Sequence, residues 1–269
     1  MSKKDRSGFK DHPFHLVDPS PWPLFTCVSL LALTSNATLS MHNFSNSHYL
    51  VFLSLFLLVA SMSFWFRDII TEGTFLGEHT LAVRWGINLG ILLFIVSEAL
   101  FFLAIFWAFF HSALSPTIEL GAIWPPLGIE AIDPFELPLL NTVLLLSSGV
   151  TITYAHHALI SGQRNPAVWG GLLTIILSLF FTLFQEVEYD LAPFTISDGA
   201  FGSCFFFGTG FHGFHVIIGT LFLGVALWRI IAYHLTTDHH TGFEGAIAYW
   251  HFVDVVWLVL YIVFYYWGS

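Results

Sequence analysis

The chain has 269 residues, of which 56% are hydrophobic and 18% aromatic, while Asp, Glu, Lys and Arg make up only 10%; the formal charge is −10 at pH 7. No soluble domain of this length needs so much apolar surface, and so acidic a chain lacks the basic patch that nucleic-acid binding requires. Cys27 and Cys204 both sit in apolar stretches and support neither a disulfide framework nor a zinc motif.

The first twenty residues, MSKKDRSGFKDHPFHLVDPS, form a tail without the apolar core of a secretory signal, and Asp5, Asp11 and Asp18 do not suit a transit peptide. Seven apolar spans follow, and the fold class they predict is all-α integral membrane. The first, about Trp22 to Met41, is interrupted by Thr34, Ser35 and Asn36, and the second runs about His48 to Phe66. Residues 21–66 thus read as a two-helix unit. The polar stretch WFRDIITEGTFLGEHTLAVRW, loosened by Gly73 and Gly77, makes residues 67–80 a connection and a weak boundary. The third span covers about Leu81 to His111. Next comes IWPPLGIEAIDPFELP, where Pro125, Pro126, Pro134 and Pro138 forbid a regular helix and a structured surface loop is expected. The fourth span runs about Leu137 to Ile160, the fifth about Ala167 to Phe184, the sixth about Gly199 to Tyr233 and the seventh about Gly245 to Trp267. Residues 81–269 then form a five-helix unit. As helices, the third and sixth spans would be roughly 45–50 Å long and must tilt or project beyond a hydrocarbon core of about 30 Å. No two segments show the matching breaks of an inverted-repeat transporter.

With seven spans, Lys3, Lys4, Arg6, Lys10, Arg67, Arg84, Arg164 and Arg229 all fall on the N-terminal side of the membrane. The opposite loops hold Glu119, Glu130, Asp133, Glu136, Glu186, Glu188, Asp190 and Asp198, and no base. The positive-inside rule puts the N-terminus in the cytosol or, in an organelle, the matrix.

Glu98 is the only Asp, Glu, Lys or Arg between Trp85 and Ile118. An ionisable group there costs about 2.5–3.5 kcal/mol on insertion scales, so it faces a protein interior, pairs, or keeps its proton. Its own helix offers no basic partner, and a protonated, carbodiimide-reactive carboxyl is expected. Asp254 is the second intramembrane acid, with His251 one turn earlier and Tyr261 at i+7, which makes one stripe of the last helix polar and inward-facing. That pair reads either as a proton relay or as a buried hydrogen bond that fixes packing.

Fourteen histidines invite a metalloenzyme reading. Adjacent His156 and His157 point about 100° apart on a helix and cannot ligate one ion together. His212 and His215, at i, i+3, share a face. His234, His239 and His240 faintly resemble the histidine boxes of membrane di-iron oxygenases, but histidines hydrogen-bonded in a packed bundle or at the headgroup level are the preferred explanation of the pattern; no strong metal signature exists. Near the basic face, Trp65, Arg67, Glu72, His79 and Arg84 bracket one corner, and Arg229 with His234 ends another. These residue types at headgroup depth suit phospholipid phosphates, with Glu72 suited to an ethanolamine amine.

The stretches HPFHLVDPSPWP, WFRDIITEGTFLGEHT, SEALFFLAIFWAFFHSALSP, WPPLGIEAIDPFELPLLNT, YAHHALISG, FTISDGAFGSCFF and YWHFVDVVWLVLYIVFYYWGS, in this order, resemble subunit III of the haem–copper terminal oxidase that oxidises cytochrome c. The fit looks like the mitochondrial, fungal-like branch; Phe66, where many members carry a second Trp, and Glu78 are departures. The resemblance implies seven helices in a V, two against five, with phospholipids in the cleft around Trp65, Arg67, Glu72, His79, Arg229 and His234. It maps the family's membrane carboxylate onto Glu98. It also implies a supporting subunit without haem or copper; haem a, haem a3 and copper belong to partner subunits I and II, further small subunits complete the complex, and cytochrome c is met only through it. Such a chain stabilises the core and supports proton uptake and oxygen access, in the mitochondrial inner membrane, with its N-terminus in the matrix and its C-terminus in the intermembrane space. The alternatives are a membrane di-iron oxygenase using the histidines at the basic side, and a seven-helix transporter or receptor.

Overall fold

The computed structural model describes residues 12–268; Lys3, Lys4, Arg6, Lys10, Asp5 and Asp11 lie outside the described residues. The described residues form seven α-helices and no strand: α1 Trp22–Met41, α2 Ser47–Thr74, α3 Leu81–Leu114, α4 Leu137–Ile160, α5 Arg164–Leu191, α6 Gly199–Ile231 and α7 Thr241–Leu260. A π-helical turn, Tyr261–Tyr266, extends α7, and a short 3-10 turn, Ile118–Leu120, follows α3. All seven helices are long and apolar enough to cross a membrane, as the sequence predicts.

Two helices outrun the spans read from hydropathy. α2 continues past Phe66 to Thr74, and α5 continues past Phe184 to Leu191. Loss of hydrophobicity does not end a helix; a breaker does. α2 stops just beyond Gly73, and α5 stops before the Ala192–Pro193 pair, whose first residue is extended with ψ 128°. The acids of Gln185–Leu191 therefore stand on a helix, not on a loop. The α1–α2 turn uses Asn43 and Asn46 with φ 58° and 63°, the left-handed region that Asn tolerates. The α4–α5 turn is made by Gly162 at φ 76°, with Gln163 N–H donating to Ala158 O at 2.8 Å.

The chain divides into two compact units, between Ile87 and Asn88 within α3. In the first unit, Ser47, Ser54 and Ser61 recur every seventh residue of α2 and are all buried. A seven-residue period keeps one stripe against a neighbouring helix, and small side chains let the backbones approach. That neighbour is α1. Thr26 Oγ1 donates to Ser61 Oγ at 3.1 Å and Trp22 Nε1 to Asp68 at 2.5 Å; Asn36 Nδ2 donates to Leu50 O at 3.3 Å, and Ser40 Oγ meets His48 Nδ1 at 2.7 Å.

In the second unit, α4, α5, α6 and α7 pack at close range. Gly170 of α5 faces α4 so closely that an added Cβ would stand 2.9 Å from Ala155 Cβ and 3.0 Å from Thr151 O. Thr151 and Thr174 hydroxyls meet beside it at 2.8 Å. α7 lays its large rings into the bundle: Trp250 Nε1 donates to Ser148 Oγ at 2.9 Å and Trp257 Nε1 to Thr142 Oγ1 at 3.0 Å. Gly219 of α6 makes room for Trp250, whose ring atoms would lie 2.9 Å from a Cβ there. The part of α3 in this unit makes its contacts through long aromatic side chains, Phe102 against Phe211 and Phe252, and Phe106 and Phe109 against Phe264.

Candidate functional site: the intramembrane carboxylates and the basic corners

Glu98 has a partner, on another helix. Its Oε2 lies 2.9 Å from Nε2 of His215 on α6. His215 Nδ1 lies 2.8 Å from Phe211 O, a carbonyl that can only accept, so Nδ1 carries the hydrogen. Nε2 is then either the acceptor from a carboxylic acid or, in an imidazolium, the donor to a carboxylate. Both arrangements hold one proton and have no net charge, which makes the pair tolerable within hydrocarbon. The imidazole is enclosed by Phe102, Phe211 and Tyr249, at ring distances of 5.2, 4.5 and 6.2 Å.

His251 and Asp254 show the same logic in weaker geometry. Thr153 Oγ1 donates to Gly149 O at 2.8 Å, so it accepts from His251 Nε2 at 3.2 Å. That leaves His251 Nδ1 facing Asp254 Oδ2 at 3.5 Å, where a proton on either group joins them. Gly149 of α4 provides the space, since a Cβ there would lie 2.6 Å from Asp254 Oδ2. Tyr261 lies lower on the same stripe and donates to Pro134 O at 3.1 Å, tying the π-turn to the proline-rich loop.

His212 and His215 share a helix face but not a task. His212 Nε2 meets Val253 O at 3.2 Å, and its ring lies 5.2 Å from Trp257. A third buried acid is Glu188. Its Oε1 accepts from Tyr265 OH at 2.6 Å and from Gln185 Nε2 at 3.1 Å, with all three side chains buried. Sequence reasoning placed Glu188 in a loop. The signal that reveals it is the stripe Thr174, Ser178, Phe181, Gln185, Glu188, whose alternating steps of four and three carry the buried face of α5 beyond the apolar span.

In the first unit, Arg67 is bound to Asp68 by Nε and Nη2, at 3.0 and 2.8 Å, and its guanidinium lies over the Phe64 ring at 5.2 Å. Trp65 is a partly exposed residue of the same helix, with 37% of its surface open. Glu72 Oε2 lies 3.9 Å from His15 Nε2, and the His79 ring is 5.9 Å from that of His15. His79 also abuts Gly73, where a Cβ would come within 2.6 Å of Nδ1. His15, Glu72 and His79 thus present ligand atoms within 4.8 Å of one another. In the second unit, His234 N–H donates to Arg229 O at 3.0 Å, closing the end of α6, and its ring stands edge-on to Trp228 at 5.2 Å. Arg164 of α5 donates to Ile230 O there and stacks on Tyr233 at 3.5 Å. Of the three histidines near this end, His240 turns to His156 and Glu244.

Seven spanning helices with acids paired to histidines inside the spans define a multi-pass helical membrane protein whose buried polar groups join its own helices. Residues 12–269 match the family model for cytochrome c oxidase subunit III. The cytochrome c oxidase subunit 3 proteins of Podospora anserina and Neurospora crassa are 71% and 72% identical to it over 269 residues, covering all of each chain. That of Emericella nidulans is 63% identical over 268 residues, again at full coverage. The chain belongs to the cytochrome c oxidase subunit III family. It is a subunit of complex IV of the respiratory chain, and the oxygenase and transporter readings are not favoured.

Proposed function

We propose that this chain is the supporting, redox-centre-free subunit of its oxidase, in the mitochondrial inner membrane, with haem a, haem a3 and copper held by partner subunits I and II. The observation that carries this reading is how the interior polar groups are used. Glu98 is engaged by His215 and Glu188 by Tyr265, each across two helices, and Asp254 by His251 on its own helix, which in turn reaches Thr153 of α4, so the interior polarity serves to hold the bundle together. By stabilising the core, the chain sustains proton uptake and oxygen access in subunit I. The distribution of basic residues supports an N-terminus in the matrix and a C-terminus in the intermembrane space.

Phospholipid headgroups bind at the basic corners: at Trp65, Arg67, Glu72 and His79 in the first unit, and at Arg229 and His234 in the second. The mix of guanidinium, imidazole and carboxylate suits a zwitterionic headgroup, whose phosphate and amine need both signs. Further small subunits complete the complex, and cytochrome c meets this chain only through it.

The test is a reduced-minus-oxidised spectrum with metal and lipid analysis of the complex, captured through this chain in mild detergent, before and after partner subunits are stripped. Haem a and copper should leave with the partners while phospholipid stays with the chain. Iron retained by the bare chain would overturn the supporting role, and a bare chain of native mass without phospholipid would overturn the lipid sites.

A further inference from the structure

We propose that His156, His240 and Glu244 form a binding site for a zinc ion at the end of the second unit where α4 finishes and α7 begins. The three residues come from separate parts of the chain: His156 from the last turns of α4, His240 from the residue that precedes α7, and Glu244 from the first turn of α7. Their ligand atoms all lie within 4.8 Å of one another.

Three features distinguish this group from an ordinary histidine cluster. First, His240 is pre-set as a ligand. Its Nδ1 lies 3.0 Å from Thr236 O, a carbonyl that fixes the hydrogen on Nδ1 and leaves the Nε2 lone pair open. Backbone carbonyls orient metal-binding histidines in this way. Thr236 is itself held, receiving the His239 N–H on Oγ1 at 3.0 Å and donating its own N–H to His239 O at 3.2 Å. Second, that Nε2 faces Glu244 Oε1 at 3.3 Å. Two ligands of one tetrahedral zinc, each at about 2.0–2.2 Å, stand about 3.3–3.5 Å apart. Third, His156 Nε2 is buried and has no hydrogen-bond partner. A buried nitrogen without a partner is costly, and a cation beside it would remove that cost. The His156 ring lies 5.4 Å from His240 and edge-on to Phe243 at 5.9 Å, which holds it against the other two ligands.

A simple ion pair between His240 and Glu244, one helical turn apart, would account for those two residues but not for the unpartnered His156. Two imidazoles and one carboxylate select a borderline ion such as zinc over calcium or magnesium, which take oxygen ligands. Glu244 is 42% exposed and His240 8%, so an ion has a route in from the surface and two recessed nitrogens to receive it. The fourth position is left for water. Bound zinc would tie the end of α4 to the start of α7.

The experiment uses the assembled oxidase carrying this chain, dialysed against radiolabelled zinc, in wild-type form and as the separate variants His156→Gln and Glu244→Gln. Other subunits contribute the same background to all three. Expected is one equivalent more zinc in the wild type, with affinity at this site at least tenfold weaker in each variant. Equal zinc binding in all three overturns the site, and so does a loss confined to Glu244→Gln, which would show that zinc binds without His156. Should a variant fail to assemble, zinc-edge anomalous density in the wild-type oxidase decides: a peak between the three side chains supports the site, and its absence overturns it.

Discussion

Glu98 and His215 stand 117 positions apart in the chain, and each taken alone is an oddity in an apolar helix. Together they form a neutral unit with a single proton, because the second imidazole nitrogen is spent on Phe211 O. A carboxyl that holds or shares a proton within hydrocarbon is the form with which an apolar carbodiimide reacts. Replacing Glu98 by Gln in the assembled oxidase should therefore lower carbodiimide label in this chain to background, read by peptide mass. Label that persists would assign the reactive carboxyl to Asp254 or Glu188. Glu98 was legible from sequence because one charge in a long apolar run is conspicuous. Its partner was not, since His215 is one histidine among fourteen and only packing selects it.

The helices were legible as spans but not as lengths. Hydropathy reports where lipid ends, whereas the extension of α5 depends on hydrogen bonds that continue until Pro193, and on Gln185 and Glu188 finding Tyr265. Close helix pairs depend on something hydropathy does not weigh at all, the missing side chain of a glycine. Gly170→Ala would place a methyl against Ala155 and Thr151 of α4, costing about 1–3 kcal/mol as α5 is forced outward. Gly213→Ala meets nothing within 4 Å in this chain and should gain about 1 kcal/mol of helix propensity. Thermal release of the chain from the solubilised oxidase compares the two, Gly170→Ala lowering the midpoint and Gly213→Ala leaving it or raising it. An equal loss at Gly213 would mean that a neighbouring chain covers that face.

For the molecule as a whole, the orientation proposed above rests on charge asymmetry rather than on any contact. A cysteine placed at Ser161, beside Arg164, should react with a membrane-impermeant maleimide only from the matrix face, and one placed at Thr117, beside Glu119, only from the other. The reverse pattern would invert the topology. The indole bonds from α7 to α4 bear on the order in which such a chain is made. Ser148 and Thr142 are synthesised 102 and 115 residues before Trp250 and Trp257, which donate to them. Meanwhile each hydroxyl gives its hydrogen to its own helix, Ser148 to Leu145 O and Thr142 to Pro138 O, so neither leaves a donor exposed as α4 enters lipid. Its oxygens wait as acceptors. The later helix α7 thus brings indole donors to acceptors readied long before, and until it arrives neither hydroxyl sets an unmet hydrogen against lipid.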